Sequence, residues 1–213
     1  MKDIPRFLAG FKNFQRTYFC DGNTFFSDLK QGQSPKVLVI ACSDSRVDPA
    51  ILTGCEPGDM FVVRNVANLV PPYEKMPGNH GVSAAVEYAI TVLAVEHVIV
   101  LGHSCCGGIK ALMEPKTDQL GEFIAPWVKI AEPALLEVNA KLMGKDAALR
   151  QYACEQAAVL ISLENLLTFP WVFERVMRGK VYLHGWYFDL EKGELLSYLP
   201  ETGAFESLVG RCD

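Results

Sequence analysis

Two short segments of this sequence each carry cysteine or histidine at the end of an apolar run. Residues 37–41 are followed by Cys42, and residues 98–101 are followed by His103 and Cys106. A short apolar run that ends at polar residues is typical of a buried strand, and open α/β sheets place their sites at the carboxyl ends of such strands. Two thiols and one imidazole can bind zinc and leave a fourth position for water. The sequence therefore predicts a zinc site formed by Cys42, His103 and Cys106.

The spacing of these residues favours a catalytic zinc site over a purely structural one. His103 and Cys106 are three positions apart, which puts both side chains on one side of a helical turn. Cys42 lies far upstream, whereas zinc ribbons and fingers need two close ligand pairs. Cys105 points about 100° away from that side and is interpreted as a core residue. Gly107–Gly108 let the backbone pass close to the metal and leave the next helix terminus free to stabilise thiolates.

Asp44 and Arg46 follow Cys42 at alternate positions. This spacing places both side chains on one face and allows a bidentate ion pair. As an ordinary surface salt bridge, the pair would contribute little to stability. Beside a metal it has a use, because Arg46 would keep Asp44 ionised and oriented to accept a proton from bound water or hydroxide. Asp44 and Arg46 are therefore the predicted catalytic residues.

The remaining cysteines and histidines are interpreted as packing or surface residues. Free cysteine is among the most buried residue types, so an isolated cysteine is more often a core residue than a functional one. Core positions are expected for Cys20, Cys55, Cys105, Cys154 and Cys212, and surface or hydrogen-bonded core positions for His80, His97 and His184.

Length, composition and charge restrict the class of protein. The chain has 213 residues, 50% of them apolar, which suits one domain with a full-sized core. A net charge of −5 without a cluster of basic residues predicts no nucleic-acid or membrane partner. No signal peptide is recognised, and the longest apolar stretch, residues 89–101, is interrupted and too short for a membrane span. Seven cysteines without an export signal predict a cytoplasmic location with reduced thiols.

Hydrophobic periodicity predicts an α/β fold around these segments. A helix between two of the strands would act as a crossover, which makes this part of the sheet parallel. We expect a single domain over residues 1–213, in which residues 1–30 form an amino-terminal helical arm. The main expected elements are helices at 4–20, 81 or 82 to 95, 146–167 and 170–179, strands at 37–41, 60–63 and 98–101, and a hairpin over 180–199 at the far edge of the sheet.

The two metal-ligand segments resemble the signature of the β-class carbonic anhydrases. The likeness covers roughly residues 33–190, and the matching segments are Cys42-Ser-Asp44-Ser-Arg46, His103-Ser-Cys-Cys106-Gly-Gly, Phe61-Val-Val-Arg-Asn-Val66-Ala-Asn, Pro71-Pro-Tyr, Glu87-Tyr88-Ala and Ser162-Leu-Glu-Asn-Leu-Leu. The resemblance implies a four-stranded, mainly parallel sheet plus an antiparallel edge strand, flanked by helices. It also implies a lyase that hydrates carbon dioxide reversibly to bicarbonate, with one Zn²⁺ per chain. The expected assembly is a homodimer or a higher homo-oligomer such as a tetramer.

Several residues match the plant-like, open-site branch of that family. By this resemblance, Gln33 donates a hydrogen bond to a substrate oxygen, while an apolar pocket holds carbon dioxide. Some plant-like members carry a histidine where this chain has Val92, so the resemblance does not assign the proton-exporting residue. The expected substrate-binding residues are Gln33, Phe61, Val66, Tyr88 and Gly107.

Two alternatives use the same residues. Hydrolysis of carbonyl sulfide or carbon disulfide would suit the same scaffold, because these substrates have the same electrophilic carbon. A zinc-binding regulatory or redox module, with Cys105 and Cys106 as a thiol switch, is disfavoured by the predicted Asp44–Arg46 pair. A site of that kind has no need to orient water. A carbon dioxide hydration assay separates the three possibilities.

Overall fold

The computed structural model describes residues 3–75, 78–114, 116 and 119–209. Contacts divide the chain into two compact units, Met1–Ser34 and Pro35–Asp213. The helices and strands, in chain order, are α1 (Asp3–Phe19), α2 (Phe25–Leu29), β1 (Val37–Cys42), α3 (Pro49–Thr53), β2 (Met60–Asn65), α4 (Gly81–Glu87), β3 (His97–His103), α5 (Gly107–Met113), α6 (Ile124–Val128), α7 (Glu132–Lys141), α8 (Ala147–Thr168), α9 (Pro170–Met177), β4 (Tyr182–Asp189), β5 (Glu194–Leu199) and β6 (Ala204–Val209).

Aromatic side chains hold the amino-terminal unit together. The ring centroid of Phe14 lies 4.8 Å from that of Tyr18 and 5.5 Å from that of Phe26. Phe19 stacks on Phe26 with a centroid distance of 4.7 Å. The aromatic-rich helix expected over residues 4–20 is thus present as α1, and its aromatic face packs on α2. The description of this unit as an arm of a single domain stays a prediction.

A six-stranded sheet in the order β2-β1-β3-β4-β5-β6 forms the centre of the second unit. Strands β2, β1, β3 and β4 are parallel, and β5 and β6 continue the sheet with antiparallel pairing. The predicted fold class, a four-stranded parallel core with antiparallel pairing at one edge, is confirmed. The predicted hairpin is formed by β4 and β5, but β6 extends the sheet beyond it. Most side chains of β6 are exposed, so the sequence there lacks the apolar alternation that would indicate a strand.

Strands β1 and β3 are buried on both faces of the sheet, which explains their continuous apolar runs. Leu38 and Val98 belong to the core on one face, together with residues of α4, α8 and α9. Val39 and Ile99 belong to the core on the opposite face. The two strands are therefore rigidly held, and so are the residues at their ends.

The crossover helix before β3 ends earlier than its sequence indicates. The sequence predicts one helix from residue 81 or 82 to residue 95, but α4 passes at Tyr88 into a wider π-helical turn that ends at Val92. Leu93 N–H donates to Tyr88 O at 3.0 Å, and Ala94 then adopts a left-handed φ of 54°. This turn directs the chain into β3, so the apolar residues after Val92 do not extend the helix.

The long helix α8 packs on β3 and β4. Asp146 caps its first turn by accepting hydrogen bonds from Ala148 N–H and Leu149 N–H, as the sequence predicted for a helix that begins at this residue. Within the described parts of the chain, no single helix is long and apolar enough to cross a bilayer. Only the pair α8 and α9, bent by 94°, meets the length and composition criteria together.

Candidate metal centre and active site

Cys42 and His103 lie at the carboxyl ends of two adjacent parallel strands. Strands β1 and β3 pair with Ala41 opposite Leu101, and this register brings both ends to one edge of the sheet. Cys106 follows after a short turn and caps the amino terminus of α5. The candidate ligand atoms of Cys42, His103 and Cys106 all lie within 4.8 Å of one another, and all three residues are buried.

The imidazole of His103 is oriented to bind a metal through Nε2. Its Nδ1 lies 2.8 Å from Ser104 O and donates to this carbonyl, which leaves the free lone pair on Nε2. Nε2 is buried and has no hydrogen-bond partner among the described residues. Burial of a polar atom without a partner is unfavourable, and a metal ion at this position would satisfy it.

The two thiols lie among groups that favour an ionised sulfur. The backbone N–H of Ala67 points at Cys42 Sγ, and that of Gly108, in the first turn of α5, points at Cys106 Sγ. A hydrogen bond from Cys106 is the main cause that lowers the pKa of the Cys42 thiol to about 4, and it raises the pKa of Cys106. Because zinc binds cysteine as the thiolate, metal binding would favour deprotonation of both sulfurs. With His103, this donor set fits zinc with one coordination position left open.

The amino terminus of α5 approaches the loop after β2 closely, and Gly108 makes this approach possible. A Cβ at Gly108 would lie 2.7 Å from Val66 Cγ1 and 2.9 Å from Ala67 Cβ. Ala67 and Asn68 both adopt left-handed backbone conformations, with φ of 64° and 49°. This unusual turn aims the Ala67 N–H at Cys42 Sγ.

Polar side chains with no predicted role hold this loop in place. The Asn65 side chain accepts from Leu69 N–H at 2.8 Å and donates to Leu69 O at 2.9 Å. Trp127 Nε1 donates to Val66 O at 2.7 Å, and the buried Ser162 hydroxyl donates to Asn68 O at 3.2 Å. Asn65 and Ser162 occur in segments that resemble the family signature, which was a usable signal. Nothing in the sequence pointed to Trp127.

Asp44 and Arg46 form a bidentate ion pair beside the candidate ligands. Arg46 Nε donates to Asp44 Oδ1 at 2.9 Å and Arg46 Nη2 donates to Oδ2 at 2.7 Å. These side-chain hydrogen bonds are the main reason that the pKa of Asp44 lies well below its usual range. Arg46 Nη2 also donates to Cys105 O at 3.0 Å. Asp44 Oδ2 lies 4.0 Å from His103 Nε2, so the carboxylate borders the position that a metal would occupy.

Arg64, at the end of β2, fixes the turn that carries Asp44. Its guanidinium donates to three backbone carbonyls, those of Cys42, Asp44 and Val47, at 2.8–3.0 Å. It also forms an ion pair of 2.9 Å with Asp48. In the sequence, the usable signal for this role was a cation directly after the apolar run 60–63.

The expected substrate-binding residues Val66, Phe61 and Tyr88 lie in two separate places in the structure. Val66 lies next to α5, close to the candidate metal ligands. Phe61 and Tyr88 contact each other, with ring centroids 5.9 Å apart. Phe61 pairs with Leu38, and Cys42 lies four positions further along β1, or about 13 Å at the usual strand rise. Phe61 and its neighbour Tyr88 therefore lie well away from Cys42, and their role in substrate binding stays a prediction.

The two other expected substrate contacts stay predictions. Gly107 has open space where a Cβ would project, so its position leaves room beside Cys106. Gln33 belongs to the amino-terminal unit and is exposed.

The interpretation of the other cysteines as core residues is only partly correct. Cys154 is buried and Cys55 is partly buried, but Cys20 and Cys105 are exposed. Cys105 adopts a left-handed φ of 58°, which turns its side chain away from the core between His103 and Cys106. Cys212 lies outside the described residues.

Comparison with known proteins agrees with the geometry of this centre. Residues 37–195 match the family model described as carbonic anhydrase. The chain is 42% identical to Beta carbonic anhydrase 3 of Arabidopsis thaliana over 195 residues, which are 89% of this chain and 74% of that protein. The structure of the β-carbonic anhydrase CcaA superimposes with a TM-score of 0.88 at 36% identity, covering 96% of this chain and 98% of that one. A tetrameric β-carbonic anhydrase of Sordaria macrospora gives a TM-score of 0.69 at 29% identity, covering 98% and 95%. The chain therefore belongs to the carbonic anhydrase family, in its β class.

Proposed function

We propose that this chain catalyses the zinc-dependent, reversible hydration of carbon dioxide to bicarbonate and a proton. The observation that carries the proposal is the convergence of Cys42, His103 and Cys106 beside the Asp44–Arg46 pair. Family membership supports the reaction, and the unpartnered Nε2 of His103 supports the metal. When bound by these three residues, one zinc ion per chain would supply a nucleophile from water near neutral pH.

Asp44 orients the attacking water in this proposal. Arg46 keeps the carboxylate ionised and holds both of its oxygens, while Cys105 O holds the guanidinium. Oδ2 has a second lone pair available and lies on the metal side of the carboxylate. It can therefore accept a hydrogen bond from the water and leave an oxygen lone pair directed at the carbon of the substrate.

An apolar pocket for carbon dioxide is completed by a second copy of the chain. Val66 and Gly107 border the site from within one chain, and Gln33 is proposed to donate to a substrate oxygen. Phe61 lies too far along β2 to serve its own site, and Tyr88 packs against it, so both would line the site of a partner chain. This arrangement is consistent with the position of Phe61 on an edge strand of the sheet and with the exposure of Tyr88 beside it.

Exposed apolar residues around β2 support a homo-oligomer. Strand β2 has one unpaired edge, and an uncovered edge with apolar side chains is rarely left exposed to water. The exposed fractions are 39% for Val62, 42% for Val66, 43% for Tyr88 and 62% for Val92. A cytoplasmic location, in keeping with the unpaired cysteines of the described residues, is part of the same proposal.

We expect the protein to sediment as a dimer or a larger homo-oligomer at micromolar concentration. The apolar edge around β2 would be buried in the assembly, as expected for an obligate interface. Sedimentation velocity on zinc-loaded protein measures this directly. A monomer with full activity under these conditions would contradict both the assembly and the shared pocket.

We expect the zinc-loaded protein to accelerate carbon dioxide hydration in a stopped-flow assay with a pH indicator. Its zinc content should be one ion per chain, and removal of zinc with a chelator should abolish the activity. Re-addition of zinc should restore it. Absence of hydration by zinc-loaded protein would refute the proposal. If the same preparation hydrolysed carbonyl sulfide or carbon disulfide instead, the alternative reaction would be the correct one.

A further inference from the structure

Glu155 is a buried carboxylate in the middle of α8, with only 3% of its surface exposed. Its Oε1 accepts hydrogen bonds from the backbone N–H of Cys106 at 2.8 Å and from Gln151 Nε2 at 2.9 Å. Its Oε2 accepts from the Tyr187 hydroxyl at 2.7 Å. A buried carboxylate is unfavourable unless its oxygens are hydrogen-bonded, and here both are. One of its partners is the backbone of a candidate metal ligand.

The Cys106 N–H depends on Glu155 for its hydrogen bond. Cys106 is 1% exposed and stands just before α5, so its N–H lies outside the helical hydrogen-bond pattern. The structure gives it one acceptor, Glu155 Oε1. Without that oxygen, a buried donor would be left without a partner, which native structures rarely tolerate.

The turn between His103 and Cys106 also has an unfavourable backbone conformation. Cys105 is not glycine, yet its φ is 58°. Such conformations persist where the surrounding structure holds them in place. Arg46 binds the carbonyl of Cys105 on one side, and Glu155 binds the N–H of Cys106 on the other. Both contacts are therefore made to the one peptide group that joins Cys105 and Cys106.

We propose that Glu155 is a positioning residue for the metal centre. By holding the Cys106 N–H, it fixes the direction of Cys106 Sγ relative to Cys42 and His103. Tyr187 and Gln151 in turn hold the carboxylate of Glu155. The inference rests on the proposed zinc site, because its effect is exerted on a zinc ligand. Groups that orient a metal ligand typically change metal affinity or activity by about 10–100-fold when they are removed.

Zinc release from the full-length holoprotein tests this role. Zinc transfer to a chromogenic chelator, 4-(2-pyridylazo)resorcinol, should be about 10–100-fold faster for Glu155→Leu than for the unmodified protein. Glu155→Gln should be close to the unmodified protein, because its amide oxygen can accept from Cys106 N–H while its amide nitrogen donates to the Tyr187 oxygen. Tyr187→Phe should lie between the two. Glu164→Leu is the matched control, because Glu164 is exposed on the same helix.

The absorption spectrum of the cobalt-substituted protein is a second measurement. A general loss of stability would not change the band positions in this spectrum. The thiolate-to-cobalt and ligand-field bands should shift in Glu155→Leu, remain unchanged in Glu164→Leu and be restored in Glu155→Gln. Unchanged zinc release and an unchanged cobalt spectrum in Glu155→Leu would overturn the proposal. Equal defects in Glu155→Gln and Glu155→Leu would also overturn it, because the hydrogen bond to Cys106 would then not be the cause.

The remaining variants decide the matter if Glu155→Leu does not fold. In that case, release from Tyr187→Phe at the rate of the unmodified protein would overturn the proposal. These measurements need no carbon dioxide, so they separate the inference from the proposed reaction. A protein that holds zinc but does not hydrate carbon dioxide would refute the reaction and leave the role of Glu155 standing. A protein that binds no zinc would refute both.

Discussion

Replacing Cys106 with serine should remove the zinc and reduce carbon dioxide hydration to the background rate. A serine hydroxyl is not ionised near neutral pH, so the variant would keep only one thiolate and one imidazole for the metal. The loss of affinity should exceed about 100-fold, the upper end of what removal of a supporting group costs. Cys42→Ser should behave in the same way, because Cys42 and Cys106 converge on the same position. Zinc content after dialysis and the stopped-flow hydration rate measure the two effects.

Cys105→Ser is the matched control for this prediction. Cys105 is the immediate neighbour of Cys106, but it is exposed and its side chain is not part of the cluster. The substitution changes one sulfur to oxygen without changing the backbone that Arg46 binds. We expect full zinc content and full activity. If Cys105→Ser lost its zinc while Cys106→Ser retained it, the ligand assignment would be wrong.

The residues of the candidate site that could be predicted from the sequence are those that follow strands buried on both faces. Strands β1 and β3 are continuous apolar runs, so their ends at Cys42 and His103 stand out from the sequence. Parallel pairing then places both ends at one edge of the sheet, without any further information. The same reasoning does not predict β6, because a mostly exposed strand has no continuous apolar run in its sequence.

Groups that act through the backbone were not predictable in this way. Glu155 lies in an apolar helix, and its partner Cys106 is distant in the sequence, so only the fold brings them together. Ala67 and Asn68 adopt left-handed conformations without being glycine, so no residue type marks the turn. Their conformation is imposed by tertiary hydrogen bonds, such as that of Ser162 with Asn68 O.

The placement of Phe61 and Tyr88 shows what a family resemblance leaves open. The resemblance assigned both residues to a substrate pocket, but it did not say which copy of the chain would supply them. The strand register puts Phe61 opposite Leu38 and away from Cys42, which supports our proposal that a partner chain supplies both residues. A sequence pattern has no register, and so it cannot distinguish a pocket within one chain from a pocket shared between two.

Asp44→Asn should retain zinc and lose most of its hydration activity. Asp44 Oδ2 lies beside the metal position, 4.0 Å from His103 Nε2, but Asp44 is not one of the clustered ligands. An asparagine keeps one oxygen for Arg46, but it has no negative charge and turns an NH₂ group toward one of the two former oxygen positions. It would therefore no longer accept the hydrogen bond that orients the attacking water, and a loss of about 10²–10⁴-fold in turnover is expected.

Arg46→Ala should have a similar effect by a different route. Without the guanidinium, the Asp44 carboxylate would be free to turn onto the metal and occupy the open position. Zinc content should again stay at one ion per chain, which distinguishes both variants from Cys106→Ser. The pair is partly exposed, and Arg46 has 52% of its side chain accessible, so its contribution to stability is small. Thermal unfolding should therefore be nearly unchanged in both variants. A large loss of activity without a loss of zinc or stability would then report on the orientation of water, whereas full activity in either variant would reduce the pair to an ordinary salt bridge.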